Sequence, residues 1–424
     1  MWSARRAPAV FEREAERSTQ RRVHDILTLQ LAQIVAPQRA CIAVDGPTGP
    51  LVRVGSDLAL APASTLKLLT ATAAISLLGA DHRFTTRVLS DGNGDLVVVG
   101  GGDPLLATPE HIEHEHAQPR FRDAPFTSLA ALADAIVASG TRTVRGALLV
   151  DDSAHDTLRS LPDWKAIYAQ EGDIGALGAL TVDAGFADPE GRTPSADPAV
   201  TTGERLATLL AARGVTIAGG VRRGRAPEGT SAREIAHVDS PPLGTMVGEM
   251  LTSSDNYTAE ELVRDLAAHA SPDRPATTEL GIGLVVHELT ALGVPTDRVE
   301  MHDGSGLAPA DRVTCATMLQ VIELAAKPKF GAVDRGLAVA GRSGTLAERF
   351  VGDALAGKLR AKTGSIGGVV GLVGVIDRPD RIHFAFVANG NFSDVAGAAL
   401  QIRVADAIGA TPDLRAPPGL VPAP

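Results

Sequence analysis

The sequence predicts an α+β protein, and three observations carry that expectation. A two-strand pattern opens the globular part of the chain, a three-strand pattern closes it, and most of the helical runs lie between them. Residues 40–60, ACIAVDGPTGPLVRVGSDLAL, read as two strands around the hairpin signal DGPTG. Near the other end KLRAKTGSI, VVGLVGVID and RIHFAFVANG form three successive strand patterns with short turns, an antiparallel meander. The two groups are expected to share one antiparallel sheet with helices on both sides.

The remaining elements follow in order. Residues 1–22 read as a charged extension, partly helical at most, and 23–36 as a helix. A helix at 61–80 starts at a proline, and 84–104 gives two strands around a Gly-rich turn. A helix at 127–139 precedes the strand VRGALLVDDS; 155–198 is irregular; a helix at 201–215 ends at Gly214. Helices are expected at 243–269, 277–292 and 314–326, and a closing one at 394–409. The tail 411–424 is Pro-rich and reads as disordered. Together these give a split domain from 23–87 and 237–410, with a smaller accessory insertion at 88–236.

Composition narrows the function. The 424 residues carry 44% hydrophobic and 21% charged residues, enough for a sizeable core. A net charge of −10 and 3% aromatics argue against a nucleic-acid partner. No stretch is long and apolar enough for a transmembrane segment. The N-terminus, MWSARRAPAVFEREAERSTQRRVHDIL, lacks the apolar run of an export signal, which read literally places the chain in the cytoplasm. Cys41 lies in a strand pattern and Cys315 in a helix pattern, so two buried thiols are expected rather than a bridge.

There are only six lysines, so each invites a question. Lys67 stands in the first turn of an apolar helix, three residues after Ser64. Residues three apart share a helix face. A lysine desolvated there has a lowered pKa and can take a proton from the hydroxyl. A capping serine with a snorkelling lysine is the alternative. Two more elements decide between them. Ser254-Asp255-Asn256 stands at a break within a helical region, and Lys362-Thr363-Gly364 on a strand. S-x-x-K, S-D-N and K-T-G in this order mark β-lactamases and penicillin-binding proteins.

On these motifs the chain resembles the class C, low-molecular-mass penicillin-binding proteins, the D-alanyl-D-alanine carboxypeptidase/endopeptidase family. The resemblance covers about residues 38–409 and includes VGGGDPLL, LLVDDSAHD, HDGSGL and AGRSGTLAERF. It implies a transpeptidase/β-lactamase-like domain, with accessory structure filling the gap of about 190 residues between Ser64 and Ser254. It implies peptidoglycan stem peptides as substrate, β-lactams as covalent inhibitors, no metal or organic cofactor, and an extracytoplasmic location.

The expected roles are these. Ser64 is the nucleophile and Lys67 its base. Ser254 hands a proton to the leaving amine, and Asn256 orients Lys67 and the substrate amide. Lys362 disfavours a protonated Lys67 and attracts the substrate carboxylate. Thr363 and Ser365 grip that carboxylate. Gly364 lets the substrate backbone come close, and the Ser64 and Ser365 N–H groups form the oxyanion hole.

A degenerate cell-wall-binding protein and a β-lactamase or esterase on the same fold are the alternatives. The cluster HIEHEH (111–116) reads as a solvated mixed-charge loop rather than a metal site, and GGGDP as a turn before a strand. Asp303 and Ser305 either border the cleft or simply form a turn. HDGSGL continues as APADR, where relatives often have Ser-Arg, which bears on side-chain specificity.

Overall fold

A computed structural model of the chain describes residues 8–47, 49–227 and 232–412. The described chain divides into two units. One takes the segments up to Leu69, Thr290–Glu300 and from Ala310 onward; the other takes Thr70–Leu289 and Met301–Pro309.

The first unit is built on six antiparallel strands. Their spatial order is Ala338–Val339, Leu359–Ile366, Val369–Ile376, Ile382–Asn389, Arg39–Gly46, Gly49–Val54. The shared sheet expected from the two ends of the sequence forms where Arg39–Gly46 pairs with Ile382–Asn389. Strand residues alternate between faces. Ile42, Val44, Leu372, Phe384 and Phe386 enter one core with the helices Pro8–Val35 and Asp394–Gly409. Cys41 and Ala43 point to the opposite face, where the helix Cys315–Ala325 lies.

Two expectations need correction in this unit. The first helix begins at Pro8, not at residue 23. Pro8 suits a first helical turn, and nothing between it and Val35 breaks a helix. Its inner stripe, Val23, Leu27, Leu31 and Val35, recurs every four residues. Residues 1–7 and 413–424, including most of the expected tail, lie outside the described residues. The second correction concerns the cysteines. Cys41 and Cys315 are joined in a disulfide rather than left as two thiols, with Cα atoms 5.8 Å apart. A strand and a helix 274 residues apart in sequence meet face to face there, a proximity that local patterns do not encode.

The second unit holds a five-stranded mixed sheet in the order Val221–Arg223, Leu148–Asp151, Leu96–Val99, Thr85–Ser90, Arg233–Asp239. The helices Leu129–Ala138 and Pro198–Ala211 bury Leu132, Ile136, Leu206 and Leu210 with it. Residues 237–289 group with the 88–236 segment here, whereas the sequence reading joins them to the split domain. Buried charge links the two segments. His155, after the Leu148–Asp151 strand, lies 3.0 Å from Asp265 and 3.2 Å from Glu261 of the helix Asn256–Ala270. Gly102 lets the chain pass close beside this cluster. Gly102 has φ +80, and a Cβ there would fall 1.8 Å from Asp265 Oδ1.

Candidate active site

The first unit carries Ser64, Lys67 and the Lys362 strand. Ala63–Leu66 form a 3-10 turn that runs into the helix Lys67–Leu78. Ala63 is held at φ 47, a strained position for a residue with a Cβ. The approach to the turn is pinned at both backbone groups of one residue: Asn389 accepts from Ala61 N–H at 2.9 Å and donates to Ala61 C=O at 3.0 Å. Thr65 donates to Pro62 C=O at 2.7 Å, tightening the turn. The expected pairing is present within this turn. Lys67 Nζ donates to Ser64 Oγ at 2.9 Å, and the lysine side chain is fully buried.

Lys362, Thr363, Gly364 and Ser365 lie on the strand Leu359–Ile366. Lys362 is fully buried, and its Nζ donates to the Thr363 carbonyl at 2.8 Å. Alternation places Lys362 and Gly364 on one face, and Thr363 and Ser365 on the other. The Thr363 hydroxyl donates to Thr345 Oγ1 at 2.8 Å. The short strand Ala338–Val339 pairs only with Ala361 and Arg360. Beyond Ala361, no described strand pairs with that outer edge.

Gly364 also has a physical reason within the chain itself. A Cβ there would fall 2.7 Å from the Pro62 carbonyl oxygen and 3.2 Å from Thr65. Its cross-strand partner Gly371 would put a Cβ 2.9 Å from Thr65 Cγ2. The serine turn rests on a floor of two glycines, so the chain's own backbone comes close to Gly364.

The second unit carries Ser254 and Asn256. The helix Leu243–Glu249 widens into a π turn, Met250–Ser254, and a new helix starts at Asn256. Ser254 closes the π turn at φ 64, a position an L residue rarely takes. Asp255 caps the new helix, accepting from Tyr257 N–H at 2.9 Å and from the Thr258 hydroxyl. This is the break that the S-D-N reading expects. The Asn256 amide donates to Asp173 C=O at 2.8 Å.

These residues border a cleft of about 430 Å³ that also includes Arg120, Glu115, Asp173 and Glu249 in its walls. Burial lowers the Arg120 pKa, and the surrounding carboxylates of Asp255, Glu249, Glu115 and Asp173 oppose it. Burial also pushes Glu249 above the usual carboxylate range.

The other candidates resolve locally. HIEHEH lies on a helix, Pro109–Ala117, capped by Thr108, and not in a loop. His111 and His116 bond to the carbonyls of Pro189 and Ala124. Among the described residues no three His, Cys, Asp or Glu side chains converge as a metal site. Asp303 organises its turn, accepting from the N–H groups of Ser305, Gly306 and Ala308 and from Trp164 Nε1.

Sequence reasoning missed Thr345, Gly371 and Asp173, which touch the expected site residues, and Asn389, which holds Ala61 just before the serine turn. Motif spacing gives no signal for them. Each meets its partner through the fold, Asn389 across 328 residues.

The chain matches the D-Ala-D-Ala carboxypeptidase 3 (S13) family over residues 46–196 and 191–408. It is 36% identical over 351 residues to a carboxypeptidase of Mycobacterium tuberculosis, covering 78% of this chain and 72% of that one. It is 34% identical to carboxypeptidase DacB of Mycolicibacterium smegmatis, covering 81% and 75%. It is 28% identical to a D-alanyl-D-alanine carboxypeptidase of Actinomadura sp. strain R39, covering 94% and 86%. In fold it is similar to penicillin binding protein 4 of Haemophilus influenzae, with a TM-score of 0.74 at 21% identity over 89% of this chain and 98% of that one. With the family's span covering nearly the whole described chain, and the S-x-x-K, S-D-N and K-T-G elements on a helix start, a helix break and a strand, the chain belongs to the D-Ala-D-Ala carboxypeptidase 3 (S13) family.

Proposed function

We propose that the chain is a serine DD-peptidase that hydrolyses the terminal D-Ala-D-Ala bond of peptidoglycan stem peptides through an acyl-enzyme on Ser64. The observation that supports it most is the buried Lys67 amine 2.9 Å from Ser64 Oγ. A lysine kept from water is less favourable as an ammonium, and in its neutral form it can accept the serine proton.

Ser64 Oγ attacks the penultimate D-Ala carbonyl carbon while its proton passes to Lys67. The oxyanion is held by the N–H groups of Ser64 and Ser365. As the tetrahedral intermediate collapses, Ser254 gives a proton to the departing D-alanine nitrogen, with Asn256 holding the substrate amide. Lys362 attracts the terminal carboxylate, which the Thr363 and Ser365 hydroxyls grip. The substrate strand adds along the outer edge of Lys362–Ile366. Water then attacks the ester, its proton taken by the Lys67/Ser254 pair, and Ser64 is restored. Cross-link cleavage uses the same steps with a larger leaving group. Penicillin acylates the same oxygen.

The Cys41–Cys315 disulfide fits an oxidising compartment and so supports an extracytoplasmic location. The deciding experiment pairs two measurements. A fluorescent penicillin should label the wild-type chain and not Ser64→Ala, and the wild type should release D-alanine from a diacyl D-Ala-D-Ala peptide. Labelling that survives Ser64→Ala, or a labelled enzyme that releases no D-alanine, overturns the reading.

A further inference from the structure

We infer that Gln401 is a positioning residue for acylation: one buried amide ties together the two glycine strands on which the Ser64 turn rests. The inference builds on the serine acyl-transfer reading.

Gln401 is 1% exposed on the helix Asp394–Gly409, among the buried side chains Leu400, Val404 and Ala405. A primary amide on such a face is costly if its groups stay unpaired. This one is paired at both ends. Its Nε2 donates to the Gly364 carbonyl at 3.1 Å and to the Gly371 carbonyl at 2.6 Å. Its Oε1 accepts from Arg349 Nη1.

The orientation is fixed by chemistry. A guanidinium has only donors, so the oxygen must face Arg349 and the NH2 must face the two carbonyls. Gly364 and Gly371 are direct partners across their strands. On their other face they meet Pro62 and Thr65, the residues flanking Ser64. Arg349, Gln401, the two glycine carbonyls and the serine turn thus form one connected chain of contacts within one unit. Displacing a nucleophile by about 1 Å can cost about a hundredfold in rate. The amide braces this paired floor at the point where the turn rests on it, a place where such a displacement can begin.

Three substitutions separate positioning from mere packing. Gln401→Met keeps the volume and removes both polar ends. Gln401→Glu keeps the acceptor for Arg349 and turns an oxygen toward the two carbonyls. Arg349→Met, at a half-buried site, leaves Gln401 in place with its orientation unguided.

The readouts are the second-order acylation rate with a fluorescent penicillin, kcat and KM for D-alanine release, and Tm, all rates taken well below each Tm. The expected result is a fall in acylation of about ten- to a hundredfold in Gln401→Met. Gln401→Glu should fall at least as far, and Arg349→Met by about threefold, scaling from the same positional sensitivity. The loss should lie in kcat, with KM little changed, and the order of rates should not follow the order of Tm. Wild-type rates in all three variants, or losses that simply track Tm, overturn the inference. Should both Gln401 variants fail to fold, an unchanged rate in Arg349→Met overturns it alone. A wild type that penicillin does not acylate sinks the peptidase reading itself, a different result from an active wild type with equally active variants.

Discussion

In the first unit, Ser64 and Lys67 stand on a turn that rests on two bare glycines, beside a sheet whose core is aliphatic and aromatic and whose opposite face is cross-linked by Cys41–Cys315. In the second, Ser254 and Asn256 stand at a break before a helix that buries Glu260, Glu261, Arg264 and Asp265. One half is fixed by shape and a covalent tie, the other by charge kept from water. Shape responds to added atoms and to reductant. Buried charge responds to pH and to the loss of one partner. The two halves should therefore fail under different treatments.

The largest effect should come from the first unit's chemistry. Lys67→Met keeps a buried side chain of similar length and removes the amine. Acylation by penicillin, followed by stopped-flow fluorescence, should fall about a thousandfold or more, in line with losses seen when a nucleophile loses its activating base. A loss below about tenfold, on the same scale, would mean that another group takes the serine proton.

The second unit is probed at His155. Burial alone would lower its pKa, but hydrogen bonds to Asp265 and Glu261 raise it to about 9. Burial raises Asp265 to about 7, against the pull of His155, and Asp103 to about 6. Arg264 and Tyr257 share this interior. All three shifts have one sign: the folded chain holds these protons more tightly than the unfolded one. The His155 contribution is complete below about 6.5 and is lost as pH rises toward 9. Asp103 and Asp265 add a decline that begins above 3.8 and ends near 6 and 7. Thermal stability should therefore fall between pH 6.5 and 9. His155→Leu leaves two carboxylates without their cation and should cost about 3–5 kcal/mol at neutral pH, and what remains of the decline above pH 7 then belongs to Asp265, freed of the imidazole that lowers its pKa. A variant as stable as the wild type at neutral pH would place the origin of the slope outside this cluster.

The disulfide offers the matching probe of the first unit. Replacing Cys41 and Cys315 together by alanine should cost about 2–4 kcal/mol by thermal or denaturant unfolding. Penicillin labelling at 25 °C should persist, because the bridge lies on the sheet face opposite the aliphatic core and is no part of the proposed proton path.

How much of this was legible beforehand depends on range. S-x-x-K was readable because three residues on a helix start fix two side chains together. S-D-N was readable because an Asp before a helix is a cap, and K-T-G because a strand pattern surrounded it. The shared sheet was readable from alternation at the two ends of the chain. The bridge was not: Cys41 gives its face only by alternation, and nothing local says that Cys315 comes to the same face. Nor was the His155 cluster, whose partners are 106 and 110 residues away. Gly364 was singled out for a close approach by the substrate, and the fold adds the serine turn as a second close neighbour, because a glycine in a sequence says that something comes close without saying what.

That last point yields the finest test. A Cβ on Gly364 would meet the Pro62 carbonyl at 2.7 Å, a backbone atom that can move only if the serine turn moves with it. On Gly371 the nearest atom would be a Thr65 methyl at 2.9 Å, with the Pro62 oxygen at 3.4 Å, so a smaller adjustment suffices. Overpacking of this kind costs about 1–3 kcal/mol. Gly364→Ala should slow acylation about tenfold, the rate equivalent of the lower part of that range, with Gly371→Ala affected in the same sense but less. If the glycine instead makes room for substrate, as the motif alone suggests, Gly364→Ala should raise KM at nearly constant kcat and Gly371→Ala should do nothing, since only the first lies on the strand with the open edge. A split of kcat against KM for this pair therefore decides whether the close approach at Gly364 belongs to the enzyme's own turn or to the peptide it cleaves.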